Sequence, residues 1–264
     1  MDVFATPNSS ACFRRVGGVG RLALALGLGL LLLPTRVAAR ESNSAGRARF
    51  VARAQTLFAA AQKRFELEPT NNVATWEFAR AGFDRAEYAV NDVERASLAV
   101  QCIAACRQVL TRDPKSAPAH YYLGMNLGQL ARTKLLGALK IVDEMEREFK
   151  AALTLDEHFD HAGPDRNLGL LYFEAPVIGS VGSRTKARKH LERAVELAPD
   201  FPDNRLNLAE AWLKWREKRN LQRELDALEK LWPSARTHFI GAEWEAAWLD
   251  WQKRYDKLRA RASR

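Results

Sequence analysis

Apolar side chains recur at helical spacing along most of the chain, and between Leu168 and Pro233 the pattern repeats. Within this stretch, a small residue stands beside a large one and an aromatic residue follows three positions later. A second apolar series then runs up to a proline. Three pairs of residues are separated by the same 34 positions: Pro199 and Pro233, Leu191 and Leu225, and Ala194 and Leu228. The pattern indicates an internal repeat of two helices.

A 34-residue unit of two helices is the period of the tetratricopeptide repeat. In such a unit Gly169 or Ala209 would lie where the two helices approach most closely, with large side chains around it. One helix pair cannot bury its own apolar face, so several pairs stack and share a core. The sequence therefore predicts an all-α fold, a tetratricopeptide-like right-handed α-α superhelix of about four repeats. The repeats are elongated, carry insertions and are followed by a C-terminal capping helix.

Earlier parts of the chain carry weaker copies of the repeat. An amphipathic helix is predicted from Phe50 to Glu66, with Pro69 after it. The next pair has a longer gap than the repeat requires, which predicts two long helices. The following pair contains an insert with apolar residues at helical spacing, Leu135, Leu139 and Val142, which predicts an added turn or a short extra helix.

The last segment has one continuous apolar stripe, which predicts an amphipathic helix. The stripe consists of Trp244, Trp248, Trp251, Tyr255 and Leu258. A stack of repeats needs such a helix to cover its last exposed face, and a partner-binding surface is the alternative. The domain boundaries are then a leader at 1–39, a flexible lead-in at 40–48, the repeat domain at 49–233, and the capping helix with a basic tail at 234–264.

The first residues have the layout of a secretory signal peptide. Three arginines precede the uncharged run Leu22–Leu33, and small residues at Val37-Ala38-Ala39 suit a cleavage site. Twelve apolar residues are too few to cross a bilayer, which needs about 20. The sequence predicts an exported protein without an integral membrane span once the leader is removed, and an uncleaved anchor is the alternative. Cys12 precedes the apolar run, so a standard lipobox is not predicted.

Charge and composition argue against a nucleic-acid partner. The chain has 264 residues and a formal net charge of +9, which would fall to +6 without residues 1–39. No block of lysine and arginine with interleaved aromatic residues appears in the sequence. These features predict a well-solvated protein that does not bind nucleic acid.

Few residues have the pattern of a chemical site. Cys102 and Cys106 lie four apart on a predicted helix at core positions, which favours buried thiols over a disulfide. The cluster from His158 to Asp165 resembles a metal site only loosely, and Asp165 is explained by the positive end of a helix dipole. No spacing suggests a nucleophile with its base or a pair of catalytic carboxylates. The sequence therefore predicts no enzyme, no cofactor and no metal.

Two motifs connect the chain to a known family. Trp76-x-x-Ala79-Arg80-x-x-Phe83 opens the elongated first repeats, and Gly163-Pro164-x-Arg166-x-Leu168-Gly169-x-x-Tyr172 opens a later one. With these residues the chain resembles the tetratricopeptide-repeat superfamily and, within it, bacterial periplasmic T components associated with TRAP-type transporters. The resemblance implies a helical, periplasmic, non-enzymatic protein that works through partners or through a central cavity.

The first helix of each repeat is expected to line the concave surface. The outward positions there form a candidate groove for a partner or ligand: Tyr121, Met125, Gln129, Arg166, Asn167, Leu170, Phe173, Glu174, Asn207, Glu210 and Lys214. Asn167 and Asn207 occupy equivalent places, and their amides could hold an extended peptide backbone. The alternative is that these side chains only pack or meet water. An apolar, glycine-flanked loop forms a candidate lid or docking surface: Pro176, Val177, Ile178 and Val181.

The predicted function is therefore capture of a partner protein or peptide on the concave surface. The alternative is a transport accessory that holds a small ligand in a central cavity, as the resemblance implies.

Overall fold

The computed structural model describes residues 35–134 and 137–263, with side chains from residue 46 onward. Every regular element in these residues is an α-helix. The ten helices of this part of the chain are α1 (Thr35–Leu67), α2 (Asn72–Glu87), α3 (Asp92–Arg112), α4 (Ala117–Ala131), α5 (Ala138–Leu155), α6 (Phe159–Glu174), α7 (Arg184–Leu197), α8 (Pro202–Lys214), α9 (Lys218–His238) and α10 (Glu245–Ala262). The all-α prediction is confirmed.

The helices form four pairs that stack side by side. The first helices of the pairs are α2, α4, α6 and α8, and the second helices are α3, α5, α7 and α9. Each first helix packs on its own second helix and also on the first helix of the next pair. The helix α1 covers the first pair, and α10 covers α8 and α9. The predicted tetratricopeptide-like stack with a C-terminal cap is confirmed.

Short polar residues set where several helices begin. The side chain of Asn71 accepts hydrogen bonds from the backbone N–H groups of Val73 and Ala74 at the start of α2, at 2.9 and 3.2 Å. Asn91 caps α3 in the same way. These bonds satisfy donors that have no partner inside a helix, which fixes the phase of the apolar face that follows.

Small residues lie at the closest helix contacts, as predicted for Gly169. A Cβ atom on Gly169 would come within 2.7 Å of Cγ of Leu191, so α6 and α7 leave no room for a side chain there. In the first pair the corresponding residue is Gly82, whose added Cβ would collide with the sulfur of Cys102. Gly82 lies two positions beyond Arg80, which occupies the place of Gly169 in the sequence motif.

Two predicted boundaries differ from the structure. The described part of α1 includes residues 40–48, which the sequence predicts as a flexible lead-in. The helix α9 passes through Pro233, predicted as its end, and continues to His238. The residues after Pro233 stay helical because Ala235 is buried, while Trp232 just before it contacts the rings of Trp248 and Tyr255 in α10. Residues 1–34 of the predicted leader lie outside the described residues.

The insert and the cysteines have simple structural roles. The insert adds the first turns of α5, where Val142 is buried and Leu139 is exposed, while Leu135 lies outside the described residues. Cys102 and Cys106 are free and buried between α2, α3 and α4, as predicted. Burial raises the pKa of the Cys102 thiol to about 12, so the thiol is protonated and acts as a small apolar group.

Candidate functional site

Most side chains of the predicted groove lie inside the protein. Seven of them are buried: Tyr121, Met125, Gln129, Arg166, Asn167, Leu170 and Asn207. The other four reach the surface fully or in part near the C-terminal ends of α6 and α8: Phe173, Glu174, Glu210 and Lys214. The positions expected to face an open groove instead face the neighbouring first helix, since α4, α6, α8 and α10 touch one another. Partner binding by this set stays a prediction, and only the four surface members could touch a partner directly.

Arg166 clamps a left-handed turn at the start of α6. Asp160, His161 and Ala162 have φ angles of 52°, 54° and 59°, a conformation that costs about 1–2 kcal/mol for each non-glycine residue. The Arg166 guanidinium donates to the backbone oxygens of Asp160 and His161, each at 3.0 Å, and to the Asp160 carboxylate at 2.7 Å. Tyr121 donates a second hydrogen bond to this carboxylate. The buried arginine therefore holds a strained segment at the centre of the stack.

The two asparagines expected to hold a peptide are engaged within the protein. Asn167 donates to the hydroxyl of Tyr121 at 2.9 Å. The amide oxygen of Asn207 accepts from Arg254 of α10, which also donates to Glu210 at 2.9 Å and pairs with Asp203. The helix α10 thus covers the face of α8 that carries Asn207, so these two amides stabilise contacts between neighbouring helices.

The apolar loop between α6 and α7 lies at an edge of the stack. Its ends are fixed by two backbone hydrogen bonds, from Gly182 to Pro176 at 3.1 Å and from Ser183 to Tyr172 at 2.9 Å. Val177 and Ile178 at the tip are exposed. None of these residues lines the cleft described next, so the structure places the predicted lid away from it.

A cleft in the described residues opens between the first helices and the last, and we call it the end cleft. It has a volume of about 600 Å³. Its walls come from α1, α2 and the α9–α10 connection: Arg53, Ala54, Leu57, Ala61, Glu77, Arg80, Ala81, Asp84, His238, Ile240, Glu243 and Trp244. A smaller side compartment of about 100 Å³ shares six of these residues.

The end cleft exists because the stack curves until its two ends meet. Arg49 of α1 pairs with Glu245 of α10 at 2.7 Å, and Arg53 lies 3.9 Å from Glu243. Both pairs are largely exposed, so each contributes little energy by itself. These two pairs show where α1 meets the start of α10, and this contact closes one side of the cleft.

Charged groups form the floor of the end cleft. Arg80 and Asp84 of α2 are half-buried and interact electrostatically with each other and with Asp160. Burial raises the pKa of Asp84 to about 7, and the charges of Asp160 and Glu87 add to the rise, while Arg80 opposes it. One carboxylate oxygen of Asp84, Oδ1, is shielded from solvent and accepts no hydrogen bond from the described residues. The floor therefore combines a cation with a carboxyl group whose hydrogen-bonding capacity is not fully used by the described residues.

The rim of the end cleft is apolar on both sides. Leu57 of α1 and Ile240 of the α9–α10 connection are exposed there, and Trp244 forms a buried wall. A polar floor with an apolar rim is the usual composition of a site that binds a small molecule or a short peptide segment.

Sequence reasoning missed the floor of this cleft. Arg80 stands at the position where the repeat motif has a small residue, and a long cation cannot fit a tight helix contact. That mismatch was the available signal that α2 turns this position toward a cavity. Asp84 follows one turn later on the same face. The closure by α10 has no local signal, because it depends on the curvature of the whole stack.

The loose metal cluster of the sequence is divided among other contacts. Asp165 accepts a hydrogen bond from Nδ1 of His190 at 2.7 Å, Asp160 binds Arg166, and His161 stacks on Phe201 at 4.4 Å between ring centres. Across the described residues, no three His, Cys, Asp or Glu side chains are placed to hold a metal ion together. In the same residues, no helix combines the length and the apolar character needed to cross a bilayer.

Among solved structures, the chain is similar to a thermophilic TPR protein of Thermus thermophilus. The TM-score is 0.55 at 17% sequence identity, and the match covers 85% of this chain and 96% of that chain. Neither a family model nor a curated protein matches the sequence. At this identity the likeness shows the fold alone. The fold is tetratricopeptide-like, and such folds commonly mediate protein interactions and are typically non-enzymatic.

Proposed function

We propose that the protein is an exported, non-catalytic binding protein that captures a segment of a partner protein in the end cleft. The tetratricopeptide-like fold supports protein interaction in general, and the leader predicted from the sequence at 1–39 supports export. The observation that carries the proposal is the end cleft itself, whose floor is formed by Arg80 and Asp84 under an apolar rim. A peptide segment offers polar backbone groups for this charged floor and apolar side chains for Leu57 and Ile240.

The test is site-specific photo-cross-linking in cells of the native host. A benzoylphenylalanine in place of Leu57 or Ile240 reports contacts at the rim, and one in place of Leu249, an exposed residue of α10, is the matched control. We expect protein adducts from both rim positions and none from Leu249. A paired change, Arg80→Met with Asp84→Met, keeps the floor neutral and should remove the adducts while the circular dichroism spectrum stays that of the parent.

Adducts of equal strength at all three positions, or at none, would place the partner elsewhere. The surface members of the predicted groove, Phe173, Glu174, Glu210 and Lys214, are then the next candidates. Adducts that persist after the paired change would show that the charged floor is not used.

A small ligand in the end cleft is the second candidate function. Its volume of about 600 Å³ lies in the range of ligand pockets, and the resemblance to transporter-associated T components supports a ligand in an internal cavity. Native mass spectrometry of the full-length protein separates the two candidates. A bound mass that Asp84→Met removes supports the ligand, whereas an apo mass together with rim adducts supports the partner segment.

A further inference from the structure

The connections from each first helix to its second helix all lie along one edge of the stack. At this edge the C-terminal ends of α2 and α4 meet, where Arg132 pairs with Glu87 at 2.7 Å. The ends of α6 and α8 meet in the same way, where the Lys214 ammonium lies 4.1 Å from the ring centre of Phe173. We call this side, formed by the α2–α3, α4–α5, α6–α7 and α8–α9 connections, the connection edge.

The most exposed large apolar side chains of the described residues are concentrated on the connection edge. Val90 and Val93 at the α2–α3 connection, and Val177 and Ile178 at the α6–α7 connection, are between 74% and 93% exposed. Single exposed aliphatic residues are common and need no explanation. Four of them at the tips of turns along one edge indicate a surface that is covered in use.

Cations surround the Val177–Ile178 tip. Arg184 and Lys186 stand in the first turn of α7, and Lys218 and Arg219 stand in the first turn of α9, with no acidic residue in either turn. A cation at a helix N-terminus faces the positive end of the dipole and is unfavourable there. The helix ends and the cations therefore add up to a positive potential at this part of the edge.

Carboxylates at this part of the edge are fewer than cations. Glu217 binds Arg184 at 2.6 Å, and Glu174 lies 3.8 Å from Lys214. Lys186 lies 3.7 Å from Glu146, and Arg216, Lys218 and Arg219 are exposed besides these pairs. At the far end, Glu94 pairs with Arg85 and Asp92 with Arg95, so no negative excess forms there.

We propose that the connection edge docks on an anionic lipid bilayer, with Val177 and Ile178 inserted into the headgroup region and Arg184, Lys186 and Arg219 against lipid phosphates. A bilayer accepts separate apolar tips at any spacing, whereas a protein partner would need a pocket matched to each. Aliphatic tips among cations are the combination that anionic membrane surfaces bind. The proposal is independent of what occupies the end cleft, because no residue of the edge lines the cleft.

The first experiment places a polarity-sensitive dye on the loop in the full-length chain. A nitrobenzoxadiazole group on Ile178→Cys, with Cys12→Ser to avoid a second label, should shift to the blue and brighten with vesicles of equimolar phosphatidylglycerol and phosphatidylcholine. The matched control carries the dye on Leu67→Cys, which is 73% exposed at the end of α1, and should not change. The leader is present in both proteins, so it contributes equally. An unchanged signal at position 178, or equal changes at both positions, would overturn the proposal.

The second experiment measures the partition of charge variants between buffer and the same vesicles. Arg184→Gln with Lys186→Gln should lower the partition coefficient, by about fivefold for each cation removed. Vesicles of phosphatidylcholine alone should bind less well, and added salt should weaken binding to the anionic vesicles. Val177→Asp with Ile178→Asp should abolish the dye response of a label placed on Val181→Cys. Binding that is indifferent to these charges and to lipid charge would refute the proposal and leave a protein partner as the occupant of the edge.

Discussion

Replacing Arg166 with methionine should unfold the stack at a markedly lower temperature. The side chains of Arg166 and Asp160 are both 0% exposed, so the change removes the guanidinium that pairs with this buried carboxylate. It also removes the donors to the two carbonyls of the left-handed turn. Breaking a buried ion pair from one side costs about 3–5 kcal/mol. For a chain of this size each kcal/mol lowers the melting temperature by about 2–4 °C, which gives a drop of roughly 6–20 °C.

Thermal unfolding followed by circular dichroism measures this effect, and two further variants interpret it. Arg147→Met is the matched control, since its side chain is 68% exposed and its contact to Glu148 is 3.8 Å, and it should change stability by about 0.5 kcal/mol or less. Adding Asp160→Asn to Arg166→Met should recover part of the loss, because the buried charge disappears. If Arg166→Met melts within about 2 °C of the parent, the clamp does not hold the turn and the reasoning fails.

Two more predictions follow from the same structure. Gly169→Leu should destabilise the protein by about 1–3 kcal/mol or more, because the contact between α6 and α7 at Leu191 has no room for a side chain. Urea unfolding measures this loss, and a midpoint equal to that of the parent would contradict the close contact of the two helices. Asp84→Asn should make the protein less sensitive to pH. With a pKa of about 7 when folded and near 3.8 when unfolded, Asp84 lowers stability as pH rises between these values, by at most about 4 kcal/mol, and partial exposure reduces this. Parallel pH profiles of both proteins would refute it.

The fold could be predicted because the repeat is recognisable from the spacing of small, large and proline residues along the sequence. Gly169 must be small, and the 34-residue period of Pro199 and Pro233 marks the helix pairs before any tertiary contact is known. Pro233 was misjudged for a tertiary reason, because packing of α10 on Trp232 and Ala235 keeps the helix going. The proline alone predicts a helix end, because the local sequence carries no information about that tertiary contact.

The site was harder to predict, because it depends on which repeats touch. Asn167 and Asn207 were assigned to an open groove, but the sequence does not show that Tyr121 and Arg254 reach them. These contacts join residues 46 and 47 positions apart in the chain, beyond the reach of helical periodicity. The sequence signals the role of Arg80 only by placing a long cation where the repeat motif has a small residue.

The contact between α1 and α10 has a consequence for how the protein opens. A linear array of repeats has two free ends, and each end can fray without the other. Here α1, α2 and the α9–α10 connection form the walls of the end cleft, so loosening the first helices also uncovers the residues of the last ones that face them. Hydrogen exchange in the terminal helices should therefore proceed together. The number of repeats is constrained for the same reason, since an inserted helix pair would carry α10 past α1 and separate the walls of the end cleft.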